Sequence, residues 1–353
     1  MLGTIERRNT TAALHAVATY GRRAGSARVR LFDWVDKLDL DAAEVTFTDG
    51  ASVSPRAMLS DPSAVLRAEV RLRQIYRQRP RRLFLSRRAS PFGRGRLESK
   101  LLKSATHSVY DFDDALWLSD RGPFALETTW RRSVEAADIV IAGNLLLAEA
   151  ARQFSANVVM IPSCVDPSAY ALKADYEIHS PVAGWIGSPS TEKYLRDIEK
   201  PLLQLHDEAG LRLKVISAGN ADMGALNVMV DRVDWKPDTF AAELAATDFG
   251  IMPLDDTEWS RGKCAYKLLQ YGAAGQVTVA SPVGANRRAL ERLAGFAASE
   301  DHEWYDVMKR VISMTADERS VLGQRARAGV VAHYSFDAWR SAWTAAVLPD
   351  IKI

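Results

Sequence analysis

Short apolar runs alternate with stretches of helical periodicity along most of the chain. Val29–Val35, Val45–Phe47, Leu83–Ser86, Ser108–Phe112, Ile139–Ala142 and Val158–Ile161 read as strands, with helical patterns such as "PSAVLRAEVRLRQIYRQ" and "NLLLAEAARQFS" between them. The rhythm restarts at Val182–Ile186 and continues through Leu213–Ser217, Val228–Val233, Phe249–Met252 and Val277–Ala280. Alternating strands and helices predict parallel sheets, and the restart predicts two doubly wound α/β domains. The boundary is expected in "CVDPSAYALKADYEIHSPVAG", which lacks clear periodicity, giving domains 1–170 and 171–335. Phe336, Trp339, Trp343 and Val347 fall at helical spacing, so 336–353 is expected to be a closing helix and tail that crosses back. Residues 1–27 read as helix and loop, which suggests a first domain without its usual opening strand.

The composition fits a soluble protein of two domains: 353 residues, 47% hydrophobic and 25% charged. Two cysteines, Cys164 and Cys264, make neither a disulfide framework nor a metal cluster and suit a reducing cytosol. The polar, Arg-bearing N-terminal stretch has no signal-peptide character, and no run approaches a membrane span, so a cytoplasmic protein is expected. A net charge of only +2 does not favour nucleic acid. The charge is uneven, however: residues 67–103 hold thirteen Lys/Arg against Glu69 and Glu98. That stretch reads as a solvated helix face, or as contact with an anionic acceptor or a peripheral membrane surface.

The segment "WSRGKCAYKLLQYGAAG", Trp259 to Gly275, reads as one amphipathic helix following the strand "DFGIMPL". Ligands of open α/β sheets bind beyond the carboxyl ends of strands, so its N-terminus is an expected anion site. Ser260 would cap it and Gly262 would admit a bulky group. Arg261 and Lys263 would add charge, and Lys263, Lys267 and Gln270 would share one face. The strand-to-helix junction "GWIGSPSTEK" would add the amides of Gly187 and Ser188, with Lys193 in the next turn.

"GWIGSPST", "VDWKPDTFAAELAATDFGIMPL", the Trp259–Gly275 segment and "VTVASPVGAN" resemble, in that order, the C-terminal half of a retaining GT-B glycosyltransferase of family 4. "VYDFDDALW" and "ADIVIAGNLLLAEAARQFSANVVMIPSCVD" resemble its N-terminal half. The resemblance implies two Rossmann-like domains facing a central cleft and a hexosyltransferase-type reaction. A nucleoside diphosphate sugar would bind the C-terminal domain and a hydroxyl acceptor the N-terminal one. It implies donor contacts at Gly187, Ser188, Lys193, Trp235, Gly262, Cys264, Lys267, Gln270 and Gly284. Trp235 would meet the base, unless it is core at a strand end, and Gln270 stands where the family's ribose-binding glutamate would be. The family's other glutamate has no counterpart near Gly262; Asp255, Asp256 or Glu258 are the available carboxylates.

In the first half, "VYDFDDALW" ends in Asp111, Asp113 and Asp114. Asp114 and Asp113 are the candidates for touching acceptor or reacting sugar, the alternative being that Asp113 caps a turn and Asp111 pairs with an arginine. Arg87 and Arg88 would line the acceptor side. Leaving-group stabilisation by Arg261, Lys263, Lys267 and helix-end amides would do most of the chemistry. No cofactor beyond the sugar nucleotide is expected, and a metal is not expected to be essential. The competing readings are a sugar phosphorylase or nucleotide-sugar epimerase on the same fold, a two-domain binding protein, and a non-catalytic GT-B partner.

Overall fold

The computed structural model describes residues 12–48, 55–119 and 126–351. Residues 1–11 of the N-terminal stretch discussed above lie outside them. The chain divides into two units. The first runs up to Ser163 and is taken up again from Arg340; the second is Cys164–Trp339. Among the described residues, no helix is long and apolar enough to cross a membrane.

The first unit holds β1 (Leu14–Tyr20), β2 (Ala42–Thr48), β3 (Arg82–Ser86), β4 (His107–Phe112), β5 (Ile139–Ala142) and β6 (Val158–Met160). They pair in parallel in the order β2-β1-β3-β4-β5-β6. Its principal helices are α1 (Pro62–Gln78), α2 (Arg96–Ser104) and α3 (Glu127–Ala136). Two sequence expectations change here. "LHAVATY" is not helix or loop but an inner strand, paired with β2 on one side and β3 on the other. Its alanines favour a helix in isolation, yet Ala16 and Ala18 are fully enclosed and small enough to let other elements close on the sheet. "VRLFDWV" is not a strand. It forms a helical stretch, Arg28–Phe32 continuing into Asp33–Lys37, buried at Val29, Arg30, Leu31, Phe32, Trp34 and Val35. A helix enclosed on nearly every side loses its polar face, and its periodicity then cannot be told from that of a strand.

The second unit holds β7 (Val182–Ile186), β8 (Arg212–Ile216), β9 (Val230–Val233), β10 (Phe249–Met252), β11 (Val277–Ala280) and the two-residue β12 (Phe296–Ala297), which had no sequence signal. The order is β12-β11-β10-β7-β8-β9, all parallel. This is the doubly wound order in which successive strands leave the first one on opposite sides, so the sheet reverses direction between β7 and β10. Three helices follow β10 and β11: α4 (Glu258–Arg261), α5 (Tyr266–Ala273) and α6 (Ala285–Arg292).

The last helix, α7 (Phe336–Val347), carries Trp343 into the first unit's core, stacked on Trp34 at 5.0 Å and Phe84 at 6.0 Å between ring centroids. In its last turn the Ala346 carbonyl lies 2.8 Å from His107 Nε2, and beyond it Asp350 accepts from Arg82 Nε at 2.7 Å.

Candidate functional site: the carboxyl edges of the two sheets

In the second unit β7 and β10 pair only at Phe249↔Ala183 and Gly250↔Gly184, and then separate. Tyr271 of α5 holds the opening. Its hydroxyl donates to the Ile251 carbonyl at 2.9 Å and accepts the Ile186 N–H at 3.2 Å, so it bridges the two strands where their own ladder stops. Gly250 makes this possible, because a Cβ there would lie 2.2 Å from Tyr271 Cγ. Burial pushes the Tyr271 phenol well up, so it stays a neutral donor.

The segment expected as a single helix from Trp259 to Gly275 is two. Thr257, not Ser260, caps the short α4: its side chain accepts the Ser260 N–H at 3.3 Å. Ser260 is wholly buried and donates to Asp255 Oδ1. Gly262 ends α4, and Ala265 takes a left-handed conformation (φ 57°) before α5 begins. Such a conformation costs an L-residue about 1–2 kcal/mol and accumulates where a site needs it. The break moves Lys263 and Cys264 off the helix into a loop, so of the expected face only Lys267 and Gln270 remain on α5.

Lys267 meets the loop after β7. Its ammonium lies 5.1 Å from the Trp185 ring centroid, and a Cβ on Gly187 would stand 2.8 Å from its Cε and 2.5 Å from Trp185 Cη2. Gly187 therefore supplies space. Its N–H does not face outward as expected, since it continues the ladder to the Ile216 carbonyl at 3.1 Å. The exposed Ser188 heads the turn Pro189–Thr191, with its carbonyl accepting from Thr191 N at 2.9 Å. Gly284 after β11 closes the other side. At φ 54°, ψ −126° it adopts backbone that only glycine holds easily, and a Cβ would fall 2.3 Å from the Arg261 carbonyl. The loops after β7, β10 and β11 are thus locked together around Gly187–Lys267 and Gly284–Arg261.

The other expected donor residues divide. Lys263 stands over Trp259 at 5.2 Å and Lys193, exposed at the start of the short helix Lys193–Arg196, over Tyr194 at 5.0 Å. Arg261 is exposed and bonded to Asp256 at 2.7 and 3.0 Å. Asp255 accepts from Thr257 and Ser260. Two of the three carboxylates considered in place of the missing glutamate, Asp255 and Asp256, are therefore engaged by their own loop. Gln270 is 5% exposed. Trp235 lays one face on Phe240 at 5.7 Å and packs against the core. Glu192 carried no sequence signal: it is buried, accepts Ser217 Oγ at 2.6 Å and Arg232 at 3.1 Å, and ties the turn after β7 to the ends of β8 and β9.

In the first unit the order β2-β1-β3 puts the corresponding reversal between β1 and β3. Thr19 near the end of β1 donates to the Arg88 carbonyl beyond β3 at 2.5 Å. Arg87, at φ 60°, reaches Asp113 at 3.0 Å, Asp114 at 2.7 Å and Ser26 at 3.1 Å. Burial works against its charge, but Asp114 and Asp113 outweigh it and raise the guanidinium pKa. The acids are thus members of an Arg87-centred cluster, partly exposed on each member. Arg88 is buried, which lowers its pKa. Asp111 is a structural partner of Arg30, joined at 2.5 Å in full burial, while Arg30 also donates to the Ile161 carbonyl at 2.9 Å. Burial pushes the Asp111 carboxyl up, to about 6, against the pull of Arg30. Among the described residues no three His, Cys, Asp or Glu side chains are grouped as a metal site.

No family model matches the chain, and no curated relative matches it in sequence. Solved structures do match it in fold. The Anabaena protein HepE, solved with UDP and glucose, superposes with a TM-score of 0.71 at 14% identity, over 96% of this chain and 100% of that one. WaaG, a glycosyltransferase involved in lipopolysaccharide biosynthesis, gives 0.63 at 11% over 95% and 99%. The lipopolysaccharide outer core galactosyltransferase WaaB gives 0.61 at 12% over 96% and 99%. At these identities the likeness is one of architecture: two Rossmann-like α/β units, the GT-B fold.

Proposed function

We propose that the chain is a glycosyltransferase that moves a sugar from a nucleoside diphosphate sugar to an acceptor hydroxyl, with retention at the anomeric carbon. The observation that carries the reading is the convergence of Gly187, Lys267 and the Arg261–Gly284 contact at the β7/β10 reversal, where an open α/β sheet takes its ligand. HepE, of the same architecture, was solved with UDP and glucose. In this reading Lys267 and Lys263 meet the diphosphate and stabilise its charge as the glycosidic bond to phosphate breaks. Gly187 and Gly284 let the donor approach the backbone. Gln270 hydrogen-bonds ribose, and Trp235 meets the base. The departing diphosphate takes the acceptor proton on the face where the new bond forms. Arg87 with Asp113 and Asp114 orients the acceptor in the first unit. The lysines supply the countercharge a divalent metal would otherwise supply, so a metal is not essential in this scheme.

One observation favours a second reading, a non-catalytic relative of such enzymes: Asp255 and Asp256 are both bound by their own loop. Calorimetric titration with UDP, GDP and TDP, followed by NMR of the product formed from the sugar nucleotide that binds, decides between them. Binding of at least one nucleotide is expected, weakened about tenfold or more in Lys263→Ala and in Lys267→Ala, together with a product of unchanged anomeric configuration. Binding without turnover supports the second reading, and no binding of any nucleotide overturns both.

A further inference from the structure

The basic stretch of the first unit is gathered into a groove that the donor chemistry does not use. An open cavity of about 690 Å³ lies along α1, α2 and α3, lined by Arg79, Arg96, Lys100, Lys103 and Arg132 with Tyr76 and two serines; no carboxylate lines it. Several exposed arginines elsewhere are neutralised by acids: Arg22 by Asp36, Arg131 by Glu135, Arg212 by Asp231 and Arg261 by Asp256. In the groove Arg132 donates to the Arg94 carbonyl, and none of the five cations forms an ion pair among the described residues. Five like charges in one concavity repel one another within a screening length and leave a strong attraction for a polyanion.

The arrangement narrows the ligand. Arg96, Lys100 and Lys103 are spaced i, i+4, i+7, a row about 10 Å long on one face of α2. A single phosphate or sulfate would satisfy one or two of these cations, whereas a chain with repeated anionic groups can satisfy all three. Tyr76, 41% exposed, adds a ring on which a sugar face can lie. No aliphatic side chain lines the cavity, so it lacks the apolar anchor that holds a protein in a lipid interface. We propose that this groove binds an acidic oligosaccharide, a short sugar chain carrying carboxylate, sulfate or phosphate groups along its length. The row starts at Arg96, just beyond the loop that follows β3, so such a chain would extend down α2 away from the Arg87 cluster. The inference stands on the groove's own chemistry and holds whichever nucleotide the second unit takes.

The test is calorimetric titration of the full chain with a heparin-derived hexasaccharide, maltohexaose and inorganic sulfate, alongside sedimentation with phosphatidylglycerol vesicles. UDP titration serves as a separate control. The hexasaccharide should bind with salt-sensitive affinity and maltohexaose should not. The triple variant R96Q/K100Q/K103Q should lose about thirtyfold or more in hexasaccharide affinity and keep its UDP affinity. The proposal is overturned if the triple variant binds the hexasaccharide as the parent does, or if sulfate binds as tightly as the hexasaccharide. It is equally overturned if the vesicles bind and the hexasaccharide does not.

Discussion

Gly187→Ala is the sharpest single perturbation of the donor site, because the structure fixes where the added methyl goes. It would arrive 2.5 Å from Trp185 Cη2, 2.7 Å from Cζ2 and 2.8 Å from Lys267 Cε, against carbon contacts of about 3.5–4.0 Å. The two neighbours differ in how they can yield. Lys267 ends in a flexible chain and swings aside. Trp185 is 1% exposed within the second unit's core and has nowhere to go. Overpacking of this kind costs about 1–3 kcal/mol, and each kcal/mol lowers Tm by about 2–4 °C for a unit of this size. Displacing Lys267 also removes a charge-assisted contact to the diphosphate of about 1.5–3 kcal/mol, or about 10- to 150-fold in UDP affinity. Lys267→Met separates the two effects, since it removes the charge and its contact with the Trp185 ring without pressing a methyl into the core; it should lose affinity with a smaller fall in Tm than Gly187→Ala. Calorimetry of unfolding and titration with UDP measure both quantities. A Gly187→Ala protein with a lowered Tm that still binds UDP within about twofold of the parent would refute the placement of the diphosphate beside Lys267.

Tyr271→Phe keeps the ring and removes the hydroxyl that bridges Ile251 and Ile186. It leaves a buried carbonyl and a buried N–H without that partner, so urea denaturation should show a loss of about 2–4 kcal/mol; a loss below about 0.5 kcal/mol would show that the bridge does not form. Asp33 is held up to about 6 against an ordinary value of 3.8, chiefly by burial and against the pull of Arg28. The folded state keeps this proton to a higher pH than the unfolded chain does, so stability falls as pH rises from about 4 to 6, by up to about 3 kcal/mol. Asp33→Asn should therefore gain about 1–3 kcal/mol over the parent above pH 6 and lose that advantage below about pH 4; a difference in Tm that stays constant across this range would contradict the assignment.

How much was legible in the sequence depended on whether a residue's role is set locally or by a distant partner. The parallel strands and their restart at Val182 follow from local periodicity, and so does the placement of Gly187, Lys267 and Gly284 at strand-to-helix junctions. Two adjacent elements were misread for opposite reasons. Leu14–Tyr20 looks helical because alanine favours helices, and only enclosure in the sheet makes it a strand. Arg28–Lys37 looks like a strand because enclosure has erased its polar face. At the site, the break at Ala265 follows neither a proline nor a glycine at that position, so a continuous apolar pattern hid it. Tyr271, Gly250 and Glu192 carry no local signal because their functions are relations. A tyrosine becomes a strand bridge only when a glycine from another strand makes room for its ring, and a glutamate becomes a loop tie only when Ser217 and Arg232 arrive from two other strands. The reversal of strand order between β7 and β10 is itself such a relation. It converts a glycine and a lysine eighty residues apart in the chain into one contact, and the donor assignment depends on that contact more than on any motif.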